Sequence, residues 1–314
     1  PFPSGSAQRL QDWTAKGLAE LGHDVVYCIT NEVLEPPPPG VKIVDRLDPH
    51  GVDAAHTFAI MPWFESALAE AGVPYISSVH VHPQARPGTG APQDRKPERV
   101  YVSRWLAGSV GSTRFVRNGV DPAEYTFSAA KERFLLFMTS MDWAMEKGIE
   151  TAIAVARRSG MRLVVAGGAR QESALERTIR MCDVPGVEYV GDMQGEDKRA
   201  LLANAAALIH PSRYAEACPL TILEAMVSGT PVLATPSGGT PELMSEEVGF
   251  LCNTDDEFVQ ALEKIGTIDP HACRARALRD FHYRRMAGDY VREYEAAMAA
   301  VTKPFTTVAA QSSS

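Results

Sequence analysis

Two glutamates flank a predicted helix start in the second half of the chain, Glu216 before it and Glu224 within it. A strand should end at about His210, and the helix should begin near Pro219, because proline is favoured in a first helical turn. The free N–H groups and dipole of a helix N-terminus suit a phosphate. The two carboxylates could then accept hydrogen bonds from sugar hydroxyls. Spacing alone leaves a second interpretation open, in which Glu216 is a solvated loop acid and Glu224 a surface charge.

Two glycines follow a predicted strand at residues 163–166. Gly167 and Gly168 lack side chains, so either a nucleotide base approaches the backbone there or the chain makes a tight turn. The sequence leaves both interpretations open.

The cysteines and histidines predict neither disulfides nor a metal centre. The five cysteines are odd in number and form no CxxC motif, which favours a reducing compartment, and we expect a cytoplasmic protein. The histidines show no ligand spacing with one another or with carboxylates. Those considered are His50, His56, His80 and His82. We therefore expect no protein-held metal and no resident cofactor.

Composition and charge narrow the class of protein. The 314 residues carry a formal net charge of −8, and 45% of them are hydrophobic. The acidic balance argues against a nucleic-acid partner, although a local cluster of donors can still hold a small anion. No apolar run approaches the length of about 18 residues that a membrane span requires, which leaves peripheral membrane contact open. The length predicts two domains.

The first half of the chain predicts one long helix followed by short strands. The helix covers about residues 6–21, with Leu10, Trp13 and Leu18 on one face and Gly22 as its stop. Strands are expected at 24–30, 41–44, 52–55, 75–79, 99–102 and 114–116, with a helix near 63–71. Buried-type strands separated by helices indicate a parallel sheet. The Pro- and Gly-rich residues 83–98 predict a functional or unstructured loop.

A second alternation of strands and helices begins near residue 133. Strands are expected at 134–138, 163–166, 187–190, 207–209 and 231–234, with helices from 148 and near 173–181, 197–204, 220–227, 256–265 and 286–300. Five β-α units in succession predict a doubly wound domain. Two α/β domains leave a cleft at the carboxyl ends of their strands, where ligands bind in open α/β sheets.

The pair Glu216 and Glu224, with the run 224–232 (EAMVSGTPV), resembles the E-x7-E signature of glycosyltransferase family 4. Other segments resemble the same family: residues 18–25, 75–80, 118–121, 147–148 and 238–242. The resemblance covers about residues 4–300.

This resemblance implies two Rossmann-like doubly wound domains that face a cleft, the GT-B fold. It implies an acceptor-side domain at residues 1–125 and a nucleotide-sugar-binding domain at 126–283. Residues 284–302 would form a helix that packs back on the first domain, and 303–314 a tail. The activity implied is retaining transfer of a sugar from a nucleotide diphosphate donor to an acceptor hydroxyl.

The resemblance also implies three catalytic residues. Glu216 would contact the donor sugar hydroxyls, and Lys147 would neutralise the diphosphate leaving group. His80 would lie opposite them, in the first domain, near the reacting sugar. His82 is a neighbouring alternative to His80.

A further set of residues would bind the donor. Backbone N–H groups near residues 218–221 would face the sugar and the distal phosphate, and Glu224 would hold the ribose. The donor-binding set comprises Gly5, Gly167, Arg213, Cys218, Pro219, Leu220, Thr221 and Glu224.

The chain departs from the family pattern at three places. Thr139-Ser140 stands where the family has Gly-Arg, and Arg213 or Arg170 is the candidate to replace that arginine. Gly5-Ser6 stands where the family has Gly-Gly. The first strand should precede that loop, yet only residues 1–4 do, so we expect this strand to be absent from the chain.

Two other functions stay open at this point. One is a GT-B sugar-nucleotide 2-epimerase, which would need acid and base groups around the sugar ring. The other is a non-catalytic nucleotide-sugar-binding protein. The sequence identifies neither the base, the sugar nor the acceptor.

Overall fold

A computed structural model describes residues 6–28, 36–45, 48, 51–81 and 96–302. Several expectations lie outside the described residues: the first strand, Gly5, His82, most of the loop 83–98 and the tail 303–314. Within the described part, no helix is both long enough and apolar enough to cross a membrane.

The first half of the chain forms two small parallel sheets with helices around them. The elements are α1 (Ser6–Glu20), β1 (Val25–Cys28), β2 (Val41–Val44), β3 (Ala55–Thr57), α2 (Pro62–Glu70), β4 (Tyr75–Val79), β5 (Arg99–Tyr101) and α3 (Arg104–Ser109). Strand β1 pairs with β2, and β4 lies between β3 and β5. Among the described residues, no ladder joins the two sheets.

The second half forms one six-stranded parallel sheet covered by helices. The elements are β6 (Glu132–Met138), α4 (Ile149–Ser159), β7 (Arg162–Ala166), α5 (Glu172–Cys182), β8 (Val187–Gly191), α6 (Gly195–Asn204), β9 (Ala205–His210), α7 (Leu220–Val227), β10 (Val232–Ala234), α8 (Thr240–Leu243), β11 (Gly249–Leu251), α9 (Asp255–Lys264), α10 (Pro270–Asp280) and α11 (Tyr283–Thr302).

The order of the strands in this sheet is β8-β7-β6-β9-β10-β11. The order reverses between β6 and β9, as in a Rossmann fold, and a ligand crevice opens outside the carboxyl ends of those two strands. The predicted doubly wound domain is therefore confirmed. The side chains after Met138 and at His210 are placed at this crevice.

Some elements differ from the prediction. The expected strand at 114–116 is a single bridge between Tyr101 and Phe115, and the strand expected at 52–55 lies at β3. Strand β11 and helices α3, α8 and α10 were not predicted. These four elements are short or carry few apolar residues, so local periodicity reveals them poorly.

The apolar face predicted for α1 is buried at two of its three residues, and Leu18 is half-buried. Leu10 and Trp13 are 3% and 1% exposed, and they belong to one core with Leu223 and Met286 from the second half of the chain. The C-terminal helix α11 packs against α1 and β4. The two halves therefore share a continuous apolar core beside the cleft.

Candidate functional site

Helix α7 follows the loop after β9 and begins at the crevice. Pro219 is the residue before the first turn, rather than within it as the sequence predicted, and no side chain caps the helix. The first N–H groups of a helix have no intrahelical partner. The backbone at Leu220 and Thr221 is therefore available to an anion, while Cys218, just ahead, is buried and its carbonyl accepts from the Asn118 amide at 3.0 Å.

Glu216 lies in the loop between β9 and α7 and holds two basic groups. One carboxylate oxygen lies 2.7 Å from Nε2 of His210, and the other forms an ion pair with Lys147. The side chain is only 13% exposed, so the interpretation as a solvated loop acid is wrong. Burial would raise the pKa of this carboxyl, but His210 and Lys147 outweigh it and hold the pKa at about 2. Glu216 is therefore ionised at neutral pH.

The loop before α4 and the loop after β9 are in direct backbone contact. Gly148 has φ +82°, and a Cβ there would overlap the carbonyl of Pro211, so only glycine fits. The backbone N–H of Arg213 donates to the Glu146 carbonyl at 2.9 Å. These contacts bring Lys147 to Glu216. The Lys147 ammonium also lies 5.3 Å from the ring centroid of Tyr214.

Glu224 lies within α7 and is 2% exposed, so the interpretation as a surface charge is also wrong. Arg9 from α1 lies 2.6 Å from Oε1, and the hydroxyl of Tyr125 donates to the same oxygen at 3.0 Å. Lys198 from α6 lies 3.0 Å from each carboxylate oxygen. Burial would raise the pKa of Glu224, but Lys198 and Arg9 lower it below the ordinary value.

A cavity of about 340 Å³ adjoins the Glu224 cluster. Its walls include Arg9 and Trp13 from α1, Tyr125, and Lys198 and Arg199 from α6. The cavity thus lies between the first half of the chain and the carboxyl edge of the six-stranded sheet. Its basic side chains suit an anionic ligand, and the carboxylates of Asp12 and Glu124, which also line it, suit the hydroxyls of a ligand.

Gly167 follows β7 and lies against the backbone of the loop after β6. Its φ is +141°, and a Cβ would overlap the carbonyl of Thr139. The close approach that requires glycine is therefore made by the protein backbone, which accounts for Gly167 without a ligand. A contact between this position and a nucleotide base stays a prediction.

The two arginines considered as substitutes differ in their surroundings. Arg213 is exposed, and its backbone is held by Glu146 as described above. The backbone N–H of Arg170 donates to the Asp142 carboxylate at 2.9 Å. In the described part of the chain, the Arg213 side chain forms no hydrogen bond with Glu216, Lys147 or His210.

His80 comes directly after β4, in the first half of the chain. Its Nε2 lies 3.0 Å from the Ser78 hydroxyl, and its ring stacks on Phe58 at 6.2 Å between centroids. Burial lowers the pKa of His80 to about 4, so the imidazole is neutral at physiological pH. Within the described residues, His80 shares no hydrogen bond with Glu216 or Lys147.

Sequence reasoning missed several residues of these clusters. His210 was expected to end a strand but not to bind Glu216, although its place at the end of a central strand was a usable signal. Arg9, Tyr125 and Lys198 gave no signal, because each lies far from Glu224 in the sequence.

Together, the strand order and the cleft define a protein of the GT-B fold, with two Rossmann-like α/β halves. Residues 132–267 match the family model described as "Glycosyl transferases group 1". The chain is 28% identical over 183 residues to a GDP-mannose-dependent alpha-mannosyltransferase of Mycolicibacterium smegmatis, a match that covers 56% of this chain and 46% of that protein. The chain thus spans about half the length of this curated relative.

Solved structures resemble the chain over most of its length. AviGT4, a glycosyltransferase involved in avilamycin A biosynthesis, has a TM-score of 0.76 and 28% identity, with 96% of this chain and 92% of that chain covered. Anabaena HepE in complex with UDP-glucose has a TM-score of 0.64 and 17% identity, with 78% and 79% covered. The second likeness concerns the fold alone.

The ionised state of Glu216 leads to a prediction on acid stability. The carboxyl's ordinary pKa is 4.5 and its pKa in the fold is about 2. A lowered pKa stabilises the fold above the ordinary value, and this stabilisation is lost as the pH falls through 4.5 towards 2. The difference in free energy of unfolding between wild type and Glu216→Gln should fall by about 2 kcal/mol from pH 7 to pH 3.

Urea unfolding of both proteins at the two pH values checks this. Glu263→Gln, an exposed glutamate of α9, is the control and should show no such change. A difference for Glu216→Gln that is the same at pH 7 and pH 3 would contradict the assigned pKa.

Proposed function

We propose that the chain is a retaining glycosyltransferase of family 4, which moves a hexosyl or related sugar from a nucleotide diphosphate donor to an acceptor hydroxyl. One observation carries the proposal: Lys147, Glu216 and His210 cluster beside the uncapped start of α7, at the point where strand order reverses. The match to the glycosyltransferase family model includes all three residues. In this proposal residues 1–125 bind the acceptor, 126–283 bind the donor, and 284–302 complete the first domain.

The leaving diphosphate is the group that these residues must stabilise. Negative charge grows on its oxygens as the bond to the anomeric carbon breaks, and preorganised donors are most effective there. Lys147 would exchange part of its ion pair with Glu216 for a phosphate oxygen. The free N–H groups of α7 would bind the distal phosphate and the sugar.

Glu216 would position the sugar rather than attack it. Its carboxylate is ionised and can accept hydrogen bonds from two sugar hydroxyls. The acceptor would approach from the face of the leaving group, and the departing phosphate would take the acceptor's proton. This chemistry requires no second carboxylate across the sugar, unlike that of paired-carboxylate glycosidases.

Glu224 would hold the ribose through one of its two oxygens. Oε1 already accepts from Arg9, Tyr125 and Lys198, whereas Oε2 faces Lys198 alone in the described structure. A ribose hydroxyl would therefore meet Oε2. The adjoining cavity of about 340 Å³ offers space for the nucleoside.

The donor can be identified directly. The melting temperature should be measured with a panel of nucleotide sugars. The panel begins with GDP-mannose, which the mycobacterial relative's name includes, and with UDP-glucose, which is bound in HepE. We expect one donor to raise the melting temperature and to support transfer to an acceptor, with the anomeric configuration retained in the product by NMR. Binding without turnover over a broad acceptor panel would favour a non-catalytic binder, and donor isomerisation without acceptor would favour an epimerase. None of the proteins named above is described as either.

The proposal needs no resident cofactor, because the nucleotide sugar is a co-substrate. The described residues contain no group of three or more potential metal ligands. All five cysteines are free thiols, which suits the cytoplasmic location that we propose.

The Glu224 cluster makes a prediction on stability and on nucleotide binding. Glu224→Ala leaves Arg9 and Lys198 without their buried counter-ion, and breaking a buried ion pair in this way destabilises by about 3–5 kcal/mol. The free energy of unfolding from urea titration should fall by that amount, and the affinity for nucleoside monophosphate should fall with it.

A double variant separates charge from packing. Adding Arg9→Ala to Glu224→Ala removes one unpaired cation, so its effect should be smaller than the sum of the two single effects. Strict additivity of the three measurements would show that Arg9 and Glu224 do not interact.

A further inference from the structure

Glu242 of α8 binds the start of α3, which belongs to the first half of the chain. Its Oε1 accepts from the backbone N–H of Trp105 at 2.6 Å, and its Oε2 accepts from the backbone N–H of Arg104 at 3.1 Å. The guanidinium of Arg117, also in the first half, donates to Oε2 at 3.3 Å. Both oxygens of one carboxylate are therefore bound to the opposite half of the molecule. We call these contacts of Glu242 with Arg104, Trp105 and Arg117 the strut.

The start of α3 is a good partner for a carboxylate. The first N–H groups of a helix have no intrahelical partner and lie at the positive end of the helix dipole. The hydroxyl of Ser103 accepts from one of them, the N–H of Leu106, at 3.1 Å, and Glu242 accepts from two others. The Glu242 side chain is only 17% exposed, which strengthens these charge-assisted hydrogen bonds relative to a pair in open water.

The strut crosses the cleft. Helix α3 follows β5, and helix α8 follows β10. Each helix therefore begins beyond the carboxyl end of a parallel strand, which is the edge of both sheets that faces the cleft.

In the second half of the chain, the strut is joined to the loop that carries Glu216. The backbone N–H of Gly239, the residue before α8, donates to the Glu216 carbonyl at 2.7 Å. A Cβ on Gly238 would lie 2.3 Å from the same carbonyl oxygen, and a Cβ on Gly239 would lie 2.0 Å from the Ala217 oxygen. Only glycine permits so close an approach. The position of Glu242 is therefore tied to that of Glu216.

In the first half of the chain, the strut is joined to the strand that precedes His80. The backbone N–H of Val102, between β5 and α3, donates to the Val79 carbonyl at 3.3 Å. Val79 is the last residue of β4 and directly precedes His80. A route of hydrogen bonds and short covalent segments therefore runs from Glu216 through Glu242 to His80.

Glu216 and His80 lie in different halves, and within the described residues they share no hydrogen bond. In the proposed function Glu216 contacts the reacting sugar, and His80 lies near it from the opposite side. The distance between them must then be held closely, because a misplacement of about 1 Å can cost about 100-fold in rate.

We propose that Glu242 is a positioning residue, whose carboxylate sets the width of the cleft between the Glu216 loop and the end of β4. Its own oxygens are occupied by α3 and Arg117, so it acts on the reaction only through the residues that it positions. Its effect on turnover rests on the proposed function, whereas its effect on the spacing of the two halves does not.

The spacing of the halves can be measured on the ligand-free protein. Spin labels at Thr113→Cys, in the segment after α3, and at Arg177→Cys, on α5, replace exposed side chains in opposite halves. Cys28→Ser removes the exposed native thiol, and the other four cysteines are buried. Double electron–electron resonance should give one narrow distance distribution, which Glu242→Ala should broaden and shift to longer distances. An unchanged distribution would overturn the proposal.

Two further variants isolate the carboxylate. Glu242→Gln keeps the size of the side chain but only one acceptor oxygen, so it should also broaden the distribution, less than Glu242→Ala does. An unchanged distribution in Glu242→Gln would show that the charge is not required and would contradict the strut. Glu246→Ala is the matched control, because this exposed glutamate follows α8 and forms no hydrogen bond with α3 among the described residues. An equal broadening in Glu246→Ala would attribute the effect to the whole segment and also contradict the strut.

Turnover gives a second readout, once a donor has been found. Glu242→Ala should lower kcat about 10- to 100-fold, because the two sides of the site are no longer held at a fixed spacing. The affinity for nucleoside diphosphate should be unchanged, since Lys147 and the start of α7 both belong to the second half. Equal losses of kcat and of this affinity would mean that Glu242 only maintains the second half, and would refute the positioning role. A wild type inactive with every donor would refute the proposed function, while the label distances would still decide the role of the strut.

Discussion

Lys147→Ala should lower the rate of sugar transfer about 100- to 1,000-fold, the range for losing one preorganised donor to a developing oxyanion. The close backbone contact between Gly148 and Pro211 holds Lys147 at the crevice, where it faces Glu216. Its ammonium forms an ion pair with one carboxylate oxygen of Glu216, while Nε2 of His210 lies 2.7 Å from the other. Loss of this charge should weaken binding of nucleoside diphosphate at least tenfold more than binding of the nucleoside, because only the former carries phosphate.

Steady-state kinetics and isothermal titration with both ligands check this expectation. Lys264→Ala, an exposed lysine at the end of α9, is the control and should leave both affinities unchanged. Lys147→Arg should recover part of the rate, because it restores the charge with a different shape. Equal losses of affinity for nucleoside and nucleoside diphosphate would indicate a packing defect instead of a phosphate contact.

The six-stranded sheet was largely predictable because its central strands are continuous apolar runs. Residues 134–138 and 163–166 are such runs, and strands buried on both faces read in this way. Strand β11 begins at Gly249 and has three residues, too few for a period to show. Helix α10 has a buried side formed by Cys273 and Ala277 among several arginines, which gives a weak apolar face.

The candidate site was predictable only where a local motif carried it. Glu216, Glu224 and Lys147 belong to segments that resemble a family, and the structure brings Lys147 and Glu216 together. The partners of Glu224 come from α1 and α6, and no spacing rule joins Arg9 to Glu224. Whether a glutamate is a surface charge or a buried carboxylate with several partners depends on which cations the fold brings to it. That is a property of tertiary packing.

The surroundings of His80 show the same limit more strongly. The sequence marks His80 at a strand end, but it does not show that Ser78 contacts both His80 and His56, which depends on how β3 and β4 pair. Tyr294 could be placed on the apolar face of a helix from its spacing. Its hydrogen bond to His56 follows only from how α11 crosses the first half of the chain.

Glu216→Gln should lower the rate of transfer between about 10- and 100-fold, the size of a lost contact with a charged group. The amide keeps the shape of the side chain but no longer forms an ion pair with Lys147. Lys147 is then free to bind phosphate, so the affinity for nucleoside diphosphate should be unchanged or a few-fold higher. This variant and Lys147→Ala should thus both lose turnover, while only Lys147→Ala should weaken the binding of nucleoside diphosphate.

This difference between the two variants in nucleotide affinity is the decisive part of the prediction. A ligand titration with nucleoside diphosphate, run beside the exposed control Glu263→Gln, separates the two variants. One contrary result would be that Glu216→Gln weakens the binding of nucleoside diphosphate as much as Lys147→Ala does. That result would mean that the carboxylate maintains the conformation of the loop and that its contact with Lys147 does not compete with phosphate. If Glu216→Gln transfers sugar at the wild-type rate, Glu216 does not contact the reacting sugar, and the assignment of the signature to this chain's chemistry is wrong.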